Sequence, residues 1–171
     1  MLEKLSTYID VRFLIRFIVL FVPVYFFHVL YLGITDPKNY YSPFLDNHLN
    51  YIRWLTSSIN YTASIITYVF GTHAFVDGRM IFVKDGASVL LEFPCLGLGI
   101  MGFWIAFIVA HNISGVKRLY WALGGAFAIW LLNCWRIAIL LMSLQYDWNV
   151  RGFDHHDLFN NISYAIICLF I

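Results

Sequence analysis

A chain of 171 residues that is 61% hydrophobic, 19% aromatic and only 12% charged is too apolar for a water-soluble domain and reads as an integral membrane protein. Its formal net charge of +1 supplies no basic patch for nucleic acid and no acidic tail, so the charges inform by position rather than by sum. The 3 cysteines, Cys95, Cys134 and Cys168, lie in apolar sequence without CxxC spacing, and neither a disulfide framework nor a zinc motif follows.

The first apolar run, residues 13–32, has Lys4, Arg12 and Arg16 at its head and no small-residue cleavage site behind it. It predicts a retained anchor of about 20 residues, enough for a hydrocarbon core of about 30 Å. Lys and Arg stay on the cytoplasmic side, which puts the N-terminus inside. A polar connection at 33–50 follows, with Asp36-Pro37 as a turn signal and Tyr40, Tyr41 and Phe44 suited to a membrane interface.

In residues 45–70 the apolar side chains Leu45, Leu49, Ile52, Leu55, Ile59, Ala63, Ile66 and Phe70 recur at helical spacing, with Asn50, Arg53, Ser57, Asn60, Ser64 and Thr67 between them. This predicts an amphipathic helix that lies on the bilayer. The period then changes. Runs at 73–76, 79–84 and 87–93 are β-like and are separated by Asp77-Gly78 and Asp85-Gly86, the signal for two-residue hairpin turns, so a small three-stranded meander outside the hydrocarbon is expected at 73–93.

Three further apolar segments occupy 96–110, 119–146 and 158–171. Lys117 and Arg118 lie between the first two and belong in the cytoplasm by the charge rule. If 45–70 does not cross, the parity closes, with 13–32 running outward, 96–110 inward, 119–146 outward and 158–171 inward. The expected fold is a single all-α membrane domain over residues 1–171, with about four transmembrane helices, an interfacial amphipathic helix and an external β-hairpin or meander. Cys95 and the loop 147–157 then share the outer face, and 95–171 forms a three-span core.

Cys95 stands where the meander meets a helix start, in Glu92-Phe93-Pro94-Cys95-Leu96-Gly97. A thiol at a helix N-terminus is favoured as thiolate, which makes it a candidate nucleophile; the alternative is a small apolar residue, the reading that suits Cys134 and Cys168. Gly97, Gly99 and Gly102 give a small-residue face for close approach but lack the βαβ context of a dinucleotide loop.

Arg136 is the one charge within 119–146. A central guanidinium costs about 2.5–3.5 kcal/mol on insertion scales, so it marks a functional site or an ion pair, for which Glu92 and Asp147 are the candidates. Asn133, three residues earlier on the same helix face, can fix the guanidinium or satisfy nearby backbone. The loop ends in Asp154-His155-His156-Asp157, where histidine can move protons in either direction near neutrality. A metal site would need three or four convergent ligands, and adjacent helical residues diverge by about 100°.

A cysteine opening one membrane helix, an arginine inside the next and a histidine opening a third is the order found in exosortases and archaeosortases. Cys95-Leu96-Gly97 resembles the family's Cys-x-Gly, Asn133-Cys134-Trp135-Arg136 its Asn-x-x-Arg, and His156-Asp157-Leu158-Phe159-Asn160 its His-x-x-aromatic-Gly/Asn. The likeness runs from residue 45 to the C-terminus and fits compact forms, since many members have about eight spans. Position 96 is Leu where Ser is common, and the histidine is doubled, with His155 the competitor of His156.

The resemblance implies a membrane-embedded cysteine protease or transpeptidase with no cofactor or metal. Its partners would be exported proteins with a C-terminal tail made of a short motif, a hydrophobic helix and basic residues. The location implied is the bacterial inner membrane, with the site on its outer face. Cys95 would be the nucleophile, Arg136 the oxyanion stabiliser and His156 the acid and base, supported by Asn133, Gly97, Asn160 and Glu92. Two other classes compete: a non-catalytic transport or assembly subunit with a structural Arg136, and a metal hydrolase built on His155, His156 and the flanking aspartates.

Overall fold

The computed structural model describes residues 10–35 and 42–148. In chain order it contains α1 (Val11–Thr35), α2 (Pro43–His48), α3 (Tyr51–Val69), β1 (Ala74–Asp77), β2 (Met80–Val83), β3 (Ser88–Leu90), a 3-10 turn (Phe93–Leu96), α4 (Leu98–Ala110) and α5 (Gly115–Gln145). Two compact units result, one made of Met1–Asn50 with Gly97–Ile129 and the other of Tyr51–Leu96 with Trp130–Ile171. The long helix α5 contributes its first half to one and its second half to the other.

Among the described residues two helices are long and apolar enough to cross a bilayer, α1 with 25 residues and α5 with 31. The expected span at 96–110 is shorter than foreseen: α4 has 13 residues, or about 20 Å of helix at 1.5 Å per residue. The expected span at 158–171 lies outside the described residues.

In the first unit, α1 starts where Asp10 caps it, its carboxylate accepting the N–H groups of Arg12 at 3.0 Å and Phe13 at 3.2 Å. The helix is apolar all round and buries only Tyr31, as a lipid-facing helix does. It packs antiparallel on α4 through aromatic rings. Phe13 meets Phe107 and His111 edge-on, while Phe17 and Phe21 meet Phe103 at 5.1 and 5.8 Å. Helix α4 packs on α5 through the Trp104 indole, which donates to the Trp121 carbonyl at 2.9 Å and lies where Gly125 has no side chain. Arg118 folds back to donate to the carbonyls of His111 and Ile113 beyond the end of α4.

Where the first unit gives way to the second, after Asn50, the helices depart from expectation. One helix over 45–70 was anticipated, but the chain forms α2 and α3, broken at Leu49, whose φ of −128° and ψ of 18° leave the helical region. The face that α3 turns inward also differs from a surface-lying helix. It buries Ile52, Thr56, Ile59, Asn60, Ala63 and Thr67, half of them polar. The threonines are tolerated there because they donate to their own helix, Thr56 to the Ile52 carbonyl and Thr67 to the Ser64 carbonyl. Asn60 donates to the Gly78 carbonyl at 3.3 Å and so ties the tip of the first hairpin to the helix.

The meander is present in the order β1-β2-β3, both pairings antiparallel. Its turns are shifted from the sequence expectation. The register Asp77↔Met80 makes Gly78-Arg79 the first turn, with Gly78 at φ +54°, a conformation that costs glycine nothing. The second loop has three residues, Lys84 to Gly86, and Asp85 takes the positive φ of 57°. The Gln145 amide lies against the open side of Gly86. That amide accepts the Ala87 N–H at 2.9 Å, and Tyr146 bonds Thr72 at 3.0 Å, so the end of α5 clamps both the hairpin and the end of α3.

Candidate active site

Cys95 is held by its own turn. The 3-10 turn Phe93–Leu96 brings its N–H to the Glu92 carbonyl at 3.0 Å, and the chain then reverses through Gly97 at φ +72° before α4 begins at Leu98. The cysteine is thus not the first residue of the membrane helix, as its sequence position suggested. Left-handed Gly97 follows the turn and precedes α4 in the chain.

The decisive side chains come from α5. Asn133 donates to the Leu96 carbonyl at 3.1 Å, and Arg136, one turn later, directs Nη2 to the Cys95 sulfur at 3.7 Å. The two residues share a helix face because they are three apart, so one helix grips the turn on both sides of the Cys95 peptide. Of the two roles the sequence allowed Asn133, the structure displays the backbone one. Arg136 is 8% exposed, and Cys95 is partly exposed. A buried guanidinium beside a reachable sulfur can stabilise negative charge there, because low dielectric strengthens the interaction.

The turn has a further support that sequence reasoning missed. The Arg79 guanidinium lies 4.5 Å from the centre of the Phe93 ring, and the Arg79 carbonyl accepts the Leu91 N–H at 2.9 Å. Counting the pairing back from the second turn, Asp85-Gly86, would have put Arg79 opposite Glu92, next to Phe93. Glu92 is exposed and contributes its backbone carbonyl. Cys134 is fully buried, while Cys168, His155, His156 and Asn160 lie outside the described residues. Among the described residues no cluster of three or more His, Cys, Asp or Glu side chains forms.

The model of the transmembrane exosortase family (Exosortase_EpsH) matches residues 13–171. The chain belongs to that family. Neither a curated protein nor a solved structure matches it. As a transmembrane exosortase it is a membrane protein, in keeping with the two long apolar helices α1 and α5. Membership covers both the anchor and the unit that carries Cys95, Asn133 and Arg136.

Proposed function

We propose that this exosortase is a membrane-embedded cysteine protease or transpeptidase that cleaves C-terminal sorting tails of exported proteins. The observation that carries the reading is the contact of Arg136 Nη2 with Cys95 Sγ at 3.7 Å. Intramembrane charge is costly, and here it is spent on a thiol.

In the reaction His156 takes the thiol proton and the Cys95 sulfur attacks the scissile carbonyl carbon. Arg136 stabilises the negative oxygen that develops, as fixed positive groups do best in a water-poor site. The C–N bond then breaks, the departing amine takes the proton from His156, and an acyl thioester remains on Cys95. Water or an amine resolves it, giving its proton to His156 and so back to the thiol. His156 is assigned by motif, with His155 as the alternative. Asn133 and Gly97 shape the turn, Glu92 anchors the Cys95 N–H, and Asn160 belongs to the histidine motif.

The partners in this reading are exported proteins whose tails combine a short motif, a hydrophobic helix and basic residues. The enzyme lies in the bacterial inner membrane with its N-terminus in the cytoplasm and its site at the outer face, an orientation supported by the charge rule for Lys117 and Arg118. A single experiment tests it: expose the full chain in membranes to a protein carrying such a tail, and trap the thioester. Cys95→Ala inserts normally and yields neither adduct nor cleavage, and Arg136→Gln or His156→Ala loses the adduct. Unchanged processing by Cys95→Ala would leave the non-catalytic reading standing, whereas loss to a chelator with indifference to thiol alkylation would favour the metal hydrolase.

A further inference from the structure

The order β1-β2-β3 leaves two strand edges, and β3 (Ser88–Leu90) is the one that runs on into the turn holding Cys95. Its hydrogen bonding follows from the register. The Leu91 N–H donates to the Arg79 carbonyl at 2.9 Å, and the Val83 N–H donates to the Ala87 carbonyl at 2.8 Å. Residues 87, 89 and 91 therefore direct their main chain at β2. Antiparallel ladders alternate, which turns the N–H and carbonyl of Ser88 and Leu90 away from β2. Among the described residues no hydrogen bond reaches these outward groups.

The side chains of β3 alternate as well. Val89 and the following Leu91 are buried, whereas Ser88 and Leu90 are exposed, Leu90 to 53%. The strand is anchored by one face and open along its outer edge. Such a row of N–H and C=O groups is a template for another extended chain. What chain fits follows from where β3 leads. Cys95 lies five positions beyond Leu90, no more than about 17 Å away along an extended backbone. In the function proposed above, the exported protein stands outside the membrane and its tail enters the bilayer beyond the cleaved motif. In the same orientation β3 runs from the outer side toward Cys95.

We infer that the substrate residues just before the scissile bond add to the sheet as a fourth strand, parallel to β3 and hydrogen-bonded to the main chain of Ser88 and Leu90. The inference rests on that reading of function and names how the site takes its substrate. In parallel pairing each outward residue uses both of its groups, its N–H bonding one residue of the partner and its carbonyl the next but one. Main-chain pairing of this kind holds the substrate extended and brings the scissile carbonyl to the Cys95 sulfur in a fixed register. A helical segment cannot make these bonds, so the motif is cut unwound. Discrimination falls to side chains on the exposed face, where Leu90 offers an apolar neighbour.

Two proline variants of the full chain test this. Leu90→Pro removes one outward N–H and no bond to β2, a position at which an edge strand tolerates proline. On β1 the alternation makes Phe75↔Phe82 and Asp77↔Met80 the bonded pairs, so Val76→Pro removes an outward N–H at the opposite edge. With a tail peptide that the wild-type chain cleaves in membranes, Leu90→Pro should raise KM about five- to tenfold at constant kcat, the effect of one hydrogen bond left unmade. Val76→Pro should leave both constants as they were. Equal KM values for the three proteins overturn the inference. A second measurement covers the case in which Leu90→Pro fails to insert. In the Cys95→Ala chain, Ser88→Cys and Leu90→Cys are each oxidised with tail peptides carrying a single cysteine. Parallel addition links both to residues before the scissile bond, position 90 nearer to it than position 88. Links to residues after that bond, or none, overturn the inference. If the wild-type chain forms no acyl adduct at Cys95, the reading of function falls and this one with it; an adduct without links at 88 or 90 removes the strand alone.

Discussion

Arg136 and Asn133 show how much three residues of spacing settle. The i, i+3 relation places both on one face of α5 and was readable in the sequence, whereas their separate targets, the Cys95 sulfur and the Leu96 carbonyl, depend on a 3-10 turn that no periodicity announces. Two adjacent glycines make a similar point in the first unit. Gly125 lies against the Trp104 indole, while a Cβ on Gly124 meets nothing within 4 Å. Gly125→Ala is therefore expected to lower stability by about 1–3 kcal/mol, as overpacking does, and Gly124→Ala to be neutral or to add up to about 1 kcal/mol from helix propensity. Thermal unfolding of the two variants in one detergent separates them, and equal melting points would contradict the packing described.

At the level of elements, the meander holds the turn that carries Cys95. The two Asp-Gly pairs look alike in the sequence, and both mark bends, yet in the first the glycine takes the positive φ and in the second Asp85 does. Register decides this, because a one-residue change in the loop moves every side chain to the opposite face. The same register sets Arg79 over Phe93. Arg79→Ala should reduce tail processing about two- to fivefold, the size of a cation–π contact worth about 0.5–1 kcal/mol, with insertion unaffected. Arg79→Lys should recover part of that loss, and processing rates for the three proteins provide the comparison. Helix α3 was legible as a helix and misleading as to its faces. Its apolar positions at 52, 59 and 63 point inward, but so do its polar ones, and the aromatic positions between them were the ones left outside.

For the whole molecule, the distribution of charge bears on orientation. Lys117 and Arg118 stand at the start of α5, with Arg118 bound to loop carbonyls, and Arg12 and Arg16 lie at the start of α1. With both groups inside, an impermeant thiol reagent added to spheroplasts should, in a Cys95→Ala background, label Asp77→Cys at the hairpin tip and leave Lys117→Cys unlabelled until the membrane is opened. Labelling of Lys117→Cys from outside would invert the topology.

By itself the sequence determined that this is a membrane protein, where its long apolar helices lie, and that a meander precedes Cys95. These follow from composition, period and local turn chemistry, which act over a few residues at a time. Tertiary structure alone decided that Cys95 belongs to a turn and not to a helix end, that Arg136 meets its sulfur, and that α3 turns polar residues inward. Each of these depends on which surface a neighbouring element offers. In a bilayer that choice cannot be read from hydrophobicity, because lipid and protein interior are both apolar partners for the same side chain.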